Sequence, residues 1–277
     1  MGDFDLANNE RLEAELFQAN YGVKYYSEKF ADLNTQVEQL SMFASEPSVI
    51  ELTLYLSKNI SNSKSQLLQD LVIGFLFEDE KGFFCEFGAA DGTTLSNTFF
   101  LERLGWDGIL AEPSIRWHEL LSANRHCKIS YACVYPVSGK QVVFNEVDEG
   151  MFSSLMEFSE SDMHAHRRIN GLEYPVESIS LEDLLRKYSA PRHVDFLSID
   201  TEGSEFAILE AFDFSSFTFG AIFVEHNFTE NREEIYNLLT ANGYFRVFSK
   251  FSRWDDWYLC RSQYDLLKSR IGEKELR

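Results

Sequence analysis

The chain has 277 residues, carries a formal net charge of −20 and contains 25 Phe and 12 Tyr. This length accommodates one large domain with an appendage, and the aromatic content predicts an aromatic-rich interior. Because the negative field repels phosphate groups, the composition argues against nucleic acid and anionic membrane surfaces as partners.

The start of the chain and its cysteines predict a cytoplasmic protein. Residues 1–5 show neither the basic nor the apolar region of a secretory signal. The longest apolar run, at residues 71–77, is far too short to span a bilayer. The cysteines lack the paired spacing of a zinc site, so we expect four reduced thiols: Cys85, Cys127, Cys133 and Cys260.

Residues 1–62 are predicted to form a helical segment, followed by a catalytic domain at 63–262 and a helical tail at 263–277. Apolar residues recur in steps of four and three between residues 9 and 43. The stripe consists of Leu12, Leu16, Ala19, Val23, Tyr26, Phe30, Leu33, Val37 and Leu40. A seam of this kind pairs with another helix. We therefore expect a homodimer, with a lid over the catalytic domain as the alternative.

The stretch FFCEFGAADG at residues 83–92 is the central motif of the chain. Its first half is typical of a buried strand, and its small residues allow a bound molecule to approach the backbone. With a helix predicted at 95–103, capped by Thr93 or Thr94, it forms a nucleotide-binding corner. The third glycine of a dinucleotide motif is missing. Asp91 would repel a pyrophosphate, whereas it suits a ligand with a cationic end.

A second acid follows about twenty residues later, as expected in doubly wound nucleotide-binding folds. The stretch GWDGILAEP at 105–113 predicts a strand that ends at Glu112. A carboxylate at this place can accept hydrogen bonds from both hydroxyls of a ribose. The glycine turn, Asp91 and Glu112 together favour S-adenosylmethionine, whose sulfonium and ammonium groups are positive.

Four ordered motifs resemble the FkbM family of S-adenosylmethionine-dependent methyltransferases. They are EFGAADG at 86–92, SNT at 96–98, GWDGILAEP at 105–113 and DFLSIDTEGSE at 195–205. The resemblance implies a class I methyltransferase fold: an α/β, Rossmann-like sheet of seven strands, mostly parallel with an antiparallel last strand. It also implies O-methylation of a hydroxyl on a small-molecule acceptor, a sugar or sugar-bearing metabolite. We predict cofactor contacts at nine residues: Glu86, Gly88, Ala89, Asp91, Asn97, Glu112, Pro113, Asp200 and Glu202.

The region after residue 63 alternates strands with helices, as a mostly parallel sheet requires. Strands are expected near 82–88, 108–112, 128–134, 194–199, 220–225, 244–249 and 255–260. The last two have no helix-length connection and must pair as a hairpin. Residues 141–147 alternate like an edge strand, and residues 149–174 are interpreted as loop and short helix.

The acceptor side of the site is predicted from the ends of the fourth and fifth strands. Ligands of open α/β sheets bind at the carboxyl ends of strands. Asp200 and Glu202 should therefore point toward cofactor and acceptor, with Glu225 and His226 on the neighbouring rim. His226 is the predicted general base, supported by Glu225 or Asp200, because histidine titrates near neutral pH. As alternatives, His226 could merely cap a strand and Glu202 could charge the first turn of a helix.

Several other interpretations stay open. Asp200, Glu225 and His226 could together hold Mg²⁺, although a metal requirement is not favoured. His164 and His166 form a pair without a nearby acidic ligand, which favours solvated side chains. An NAD-type oxidoreductase would need the missing third glycine, and a non-enzymatic scaffold that oligomerises through the N-terminal helices would predict damaged cofactor motifs. The residues that hold adenine are not assigned.

Overall fold

The computed structural model describes residues 49–78, 80–147, 154–155, 171–229 and 231–276. The apolar stripe at 12–40 and the histidine pair at 164 and 166 lie outside these residues. The strands are β1 Phe83–Phe87, β2 Asp107–Ala111, β3 Lys128–Ser130, β4 Cys133–Val134, β5 Gln141–Glu146, β6 Ser154–Leu155, β7 Leu172–Ile179, β8 His193–Ile199, β9 Thr218–Glu225, β10 Phe245–Val247 and β11 Asp255–Leu259. The helices are α1 Ile50–Asn59, α2 Gln69–Leu76, α3 Phe99–Arg103, α4 His118–Asn124, α5 Leu181–Lys187, α6 Glu205–Glu210, α7 Asn231–Ala241 and α8 Arg261–Ile271.

Seven strands form one sheet in the order β10–β11–β9–β8–β1–β2–β3. The five strands from β9 to β3 are parallel, and β11 runs antiparallel between β9 and β10. The predicted α/β fold with an antiparallel last strand is confirmed. Its strand order reverses at β1, which lies between β2 and β8, and such a switch point is where open α/β sheets bind ligands.

The centre of this sheet is buried on both faces. All five residues of β1 are buried, as expected for a parallel strand covered by helices on both sides. Aromatic rings cross the sheet from strand to strand: Phe196 lies 5.0 Å from Phe223, which stacks on Trp257 at 4.8 Å. The predicted aromatic-rich interior is confirmed by these side chains.

A second sheet of four strands has the order β4–β7–β5–β6. Because β5 pairs antiparallel with both β7 and β6, the prediction of an edge strand at 141–147 is wrong. The loop interpretation of residues up to 174 is also wrong at its end, since β7 begins at Leu172. Pro175, which is tolerated opposite Val143, obscures the strand pattern of β7. A small apolar cluster of Phe144, Leu155 and Val176 stabilises this sheet.

The predicted strand at 128–134 divides between the two sheets. β3 pairs with β2 in the large sheet, whereas β4 pairs with β7 in the small one. The chain therefore crosses from one sheet to the other at residues 131–132. This crossing brings the small sheet beside the carboxyl end of β2.

The helices begin later than the sequence pattern predicts. The helix expected at 95–103 begins at Phe99, because Leu95 has a left-handed φ of 58° and the Ser96 hydroxyl accepts from the Phe99 N–H at 3.1 Å. The part of the N-terminal segment that is described packs on the catalytic domain: Tyr55 in α1 lies 5.6 Å from Phe75 in α2. The domain boundaries stay a prediction.

All four cysteines lie among the described residues, and none of them forms a disulfide there. No helix in the described ranges is long and apolar enough to cross a membrane.

Candidate active site

A cavity of about 490 Å³ opens at the carboxyl ends of the parallel strands. Its lining includes the residues that follow β1, β2, β8 and β9, together with the first residue of β11. Six carboxylates line it: Glu86, Glu112, Asp200, Glu202, Glu225 and Asp255. None of the lining residues that the structure describes is Lys, Arg or His. The cavity therefore favours ligands with positive charge.

The turn after β1 requires a glycine for two reasons. Gly88 has a φ of +71°, which side chains rarely adopt, and a Cβ there would lie 2.0 Å from the Asp200 carbonyl oxygen. The Gly88 N–H donates to the carbonyl of Ala111 in β2 at 3.1 Å. The turn thus holds the ends of β2 and β8 close to β1 and leaves room for a ligand above them.

Glu112 is buried at the end of β2, with both carboxylate oxygens held by backbone groups. One oxygen accepts from the Ala90 N–H and the other from the Ser114 N–H, each at 2.8 Å. Burial raises the pKa of Glu112 to about 7. Since each carboxylate oxygen has more than one acceptor site, both remain able to accept a ribose hydroxyl.

Glu86 and Asn97 order the opposite wall of the cavity. The Asn97 N–H donates to Glu86 at 2.8 Å, and the Ser96 hydroxyl donates to the other carboxylate oxygen at 3.0 Å. Arg125, itself buried, lies 3.8 Å from Glu86 and offsets its charge. The Asn97 amide donates to the Ser198 hydroxyl at 2.9 Å and thereby links this wall to β8.

The remaining predicted cofactor residues divide into two groups. Pro113 lines the cavity beside Glu112. Ala89 and Asp91 are not in its lining. The Asp91 carboxylate instead accepts from the backbone N–H groups of Thr93 and Thr94 at 2.8 and 2.6 Å, and so stabilises its own turn.

Asp200, Glu202 and Glu225 bring carboxylate oxygens within 4.8 Å of one another. The Asp200 and Glu225 carboxyl groups are therefore close enough for each to affect the pKa of the other. Burial, followed by the charge of neighbouring acids, raises the pKa of Asp200 to about 7 and that of Glu225 well above its ordinary value. Such a cluster can accept a proton, and its oxygen atoms are also suitable ligands for Mg²⁺. The third member of this set is Glu202, whereas the alternative metal site predicted from the sequence contained His226.

His226 follows Glu225 in the chain but does not line the cavity. Consecutive residues of a strand face opposite sides, so Glu225 faces the cavity while His226 faces away. Its Nδ1 accepts from the Phe228 N–H at 3.0 Å, and its Nε2 lies 3.8 Å from Asp256. Burial lowers the pKa of His226. The geometry therefore favours the carboxylates over His226 as the group that meets an acceptor.

Asp255 and Gln69 also line the cavity, and neither was proposed from the sequence. The Gln69 amide donates to Asp255 at 2.8 Å, and burial raises the pKa of Asp255 to about 6. Asp255 lies opposite Glu225 in the register of β11 and β9. Because β11 is antiparallel, its first residue shares an edge with the carboxyl ends of the parallel strands. The predicted antiparallel direction of the last strand was therefore the sequence signal that could have identified Asp255 as a site residue.

Apolar side chains form a second part of the lining, and most of them were not predicted from the sequence. They are Phe87, Ala90, Leu95, Ala111, Trp117, Cys133, Val134, Phe144, Leu155, Ile199, Phe223, Phe228 and Trp254. Phe144 and Leu155 belong to the small sheet, which thus contributes directly to the cavity. The site combines a strongly acidic part with an apolar part, as expected for a small-molecule site.

A protein-family model described as the methyltransferase FkbM domain matches residues 86–264, more than half of the chain. The chain belongs to the FkbM methyltransferase family. The resemblance seen in the motifs is confirmed, and the lining residues of the cavity in this FkbM-family protein lie within the matched region except Gln66 and Gln69. No curated protein matches the chain.

Some solved methyltransferases resemble the chain at low sequence identity and low TM-score. Precorrin-6y C5,15-methyltransferase from Geobacter metallireducens is 10% identical, with a TM-score of 0.38 over 65% of this chain and 73% of that chain. Magnesium protoporphyrin IX methyltransferase from Synechocystis PCC 6803, solved with bound S-adenosylmethionine, is 9% identical, with a TM-score of 0.36 over 75% and 81% of the two chains. The membership in the FkbM family rests on the sequence match rather than on these distant likenesses.

Proposed function

We propose that this methyltransferase transfers a methyl group from S-adenosylmethionine to a hydroxyl oxygen of a small molecule, a sugar or sugar-bearing metabolite. The observation that carries the proposal is the charge of the cavity. Six carboxylates and no cationic side chain among the described lining residues suit a cofactor with sulfonium and ammonium groups. The same field opposes the pyrophosphate of NAD, which disfavours an oxidoreductase.

The cofactor side of the cavity supports this choice of cofactor. Glu112 has the position and the acceptor capacity for the ribose hydroxyls. Gly88 permits close approach of the ligand to the backbone, and Glu86, Glu202 and Asp200 supply negative charge around it. A non-enzymatic scaffold would not require an intact cofactor site of this kind, so we favour an enzyme.

The carboxylate cluster supports proton removal from the acceptor. In the proposed reaction the hydroxyl oxygen attacks the methyl carbon, and the carbon–sulfur bond breaks with its electron pair remaining on sulfur. The products are the methyl ether and S-adenosylhomocysteine, and the hydroxyl proton passes to the Asp200–Glu225 pair. Holding the two reactants in line would supply much of the rate enhancement. We propose that no metal is required, with Mg²⁺ bound to Asp200, Glu202 and Glu225 as the second candidate arrangement.

Aromatic side chains support a ring-bearing acceptor. Phe228 lines the cavity and is 59% exposed, and Trp254 lines it as well. Their apolar surfaces can pack against a ring, and Asn227, which also lines the cavity, offers a polar group. A screen of free sugars, glycosides, amines and carboxylic acids with methyl-labelled S-adenosylmethionine tests this proposal. We expect label only in methyl ethers, and transfer to nitrogen or to a carboxylate would contradict O-methylation.

We further propose that the protein is a cytoplasmic homodimer assembled through the apolar stripe at residues 12–40. A single amphipathic helix cannot bury such a seam alone. Light scattering on the full chain should give twice the monomer mass of 32.1 kDa. Replacing Leu16 and Leu33 together by Glu should yield monomers, whereas a monomeric wild-type chain would contradict the dimer.

A further inference from the structure

The segment at residues 112–117 follows β2 and forms part of the cavity wall. Side chains of the small sheet hydrogen-bond to this segment. Glu112, Pro113 and Trp117 line the cavity, whereas Ser114 does not. Ser114 instead makes two bonds in different directions. Its backbone N–H donates to Glu112 at 2.8 Å, and its hydroxyl donates to Glu146 of β5 at 2.6 Å.

Tyr174 of β7 completes this arrangement. Its hydroxyl donates to the same Glu146 oxygen at 2.7 Å and accepts from the Ile115 N–H at 3.1 Å. Ser114, Glu146 and Tyr174 therefore form a closed network across the segment, which we call the β5–β7 clamp. Its partners lie 28 to 59 residues apart in the chain, so the contacts depend on the small sheet being formed.

The clamp is built around an ionised acceptor. Burial raises the pKa of Glu146, but hydrogen bonds from Ser114 and Tyr174 outweigh it and hold the pKa below its ordinary value. A carboxylate without a proton only accepts, so both hydroxyls must donate to it. This fixes the direction of each bond in the clamp, and charge-assisted bonds of this kind are the stronger ones.

We propose that Glu146 and Tyr174 are positioning residues for the cofactor, which act by fixing residues 112–117. This inference rests on the proposed function, because it assumes that Glu112 binds the ribose. Neither residue lines the cavity, so each acts through Ser114 and Ile115. Loss of the clamp leaves Glu112 in place at the end of β2, but the residues that follow Glu112 lose the hydrogen bonds that fix their positions. Binding must then order them, which costs affinity.

Calorimetric titration of the full chain with S-adenosylhomocysteine tests the clamp. Glu146→Leu should raise the dissociation constant about 10- to 100-fold, the equivalent of one or two lost hydrogen bonds. Tyr174→Phe keeps the ring that packs near Phe144 and should raise it about three- to tenfold. Glu146→Gln retains an acceptor oxygen for both hydroxyls but not its charge, so it should raise the dissociation constant less than Glu146→Leu does.

Glu177→Leu is the matched control, because Glu177 is an exposed acid on the same strand as Tyr174. It should bind as the wild type does. The melting temperature of each variant without ligand separates positioning from general destabilisation. The clamp is refuted if Tyr174→Phe and Glu146→Leu bind normally, or if Glu146→Gln loses as much affinity as Glu146→Leu. A wild-type chain that fails to bind S-adenosylhomocysteine would instead overturn the proposed function itself, and the clamp with it.

Discussion

Glu112→Ala is expected to weaken S-adenosylhomocysteine binding by about 10²- to 10⁴-fold. The substitution removes two hydrogen bonds from the ribose to a charged group, each worth about 1.5–3 kcal/mol. A tenfold change in affinity corresponds to about 1.4 kcal/mol. The substitution also leaves the Ala90 and Ser114 N–H groups without the carboxylate that holds them. Titration calorimetry on the full chain measures the effect.

The pH dependence of binding gives a second readout for Glu112. Its pKa is raised to about 7, and the ionised form is the better acceptor. The affinity of the wild type should therefore fall as the pH drops through about 7, whereas Glu112→Ala should show a shallower dependence, which Asp200 still contributes. Glu119→Ala, which changes an exposed acid in α4, is the control and should bind normally. An unchanged dissociation constant in Glu112→Ala would remove Glu112 from the cofactor site.

Glu225→Gln is expected to lower turnover by about 10²- to 10⁴-fold, the usual worth of general base catalysis. The amide cannot take up the hydroxyl proton, and the cluster loses one of its three carboxylates. The affinity for S-adenosylhomocysteine should change little, because Glu225 lies on β9, whereas the proposed ribose contact, Glu112, follows β2. Single-turnover kinetics with the acceptor found in the screen measure the loss.

His226→Asn is the informative comparison for Glu225→Gln. Asn can accept from the N–H two residues later, as His226 Nδ1 now does from Phe228. It should therefore keep the turn and most of the activity. If turnover fell by 10²- to 10⁴-fold in His226→Asn and not in Glu225→Gln, His226 would be the general base.

The pH profile and a chelator separate the two uses of the carboxylate cluster. The kcat/KM of the free enzyme should rise with pH through about 7, because the raised pKa of Asp200 keeps the pair protonated below it. A chelator should leave activity unchanged if the pair acts as base. Loss of activity that added Mg²⁺ restores would assign Asp200, Glu202 and Glu225 to a metal instead.

The large sheet was predictable because its strands carry strong local signals. β1, β8 and β9 are short apolar runs that end in glycine or acids, and the hairpin of β10 and β11 follows from their short connection. The small sheet was not, since Pro175 interrupts the pattern of β7 and its partner strands lie about 30 residues apart in the chain. Its contribution to the cavity therefore also stayed hidden.

For the proposed cofactor side of the cavity, the sequence predicted more of the lining than it did for the proposed acceptor side. Gly88 and Glu112 stand at fixed places relative to β1 and β2, so the motif fixes their geometry. His226 was placed beside Glu225 from adjacency in sequence, although alternation along a strand separates their side chains. Asp255 was overlooked because only tertiary pairing brings the start of β11 to this edge.

The central claim is that the acidic cavity binds S-adenosylmethionine. Titration calorimetry of the full chain with S-adenosylmethionine and with NAD, side by side in the same buffer, tests it most directly. We expect saturable binding of S-adenosylmethionine in the micromolar range or tighter, about 8 kcal/mol or more, and no heat of binding for NAD. Binding of NAD without binding of S-adenosylmethionine would contradict the account.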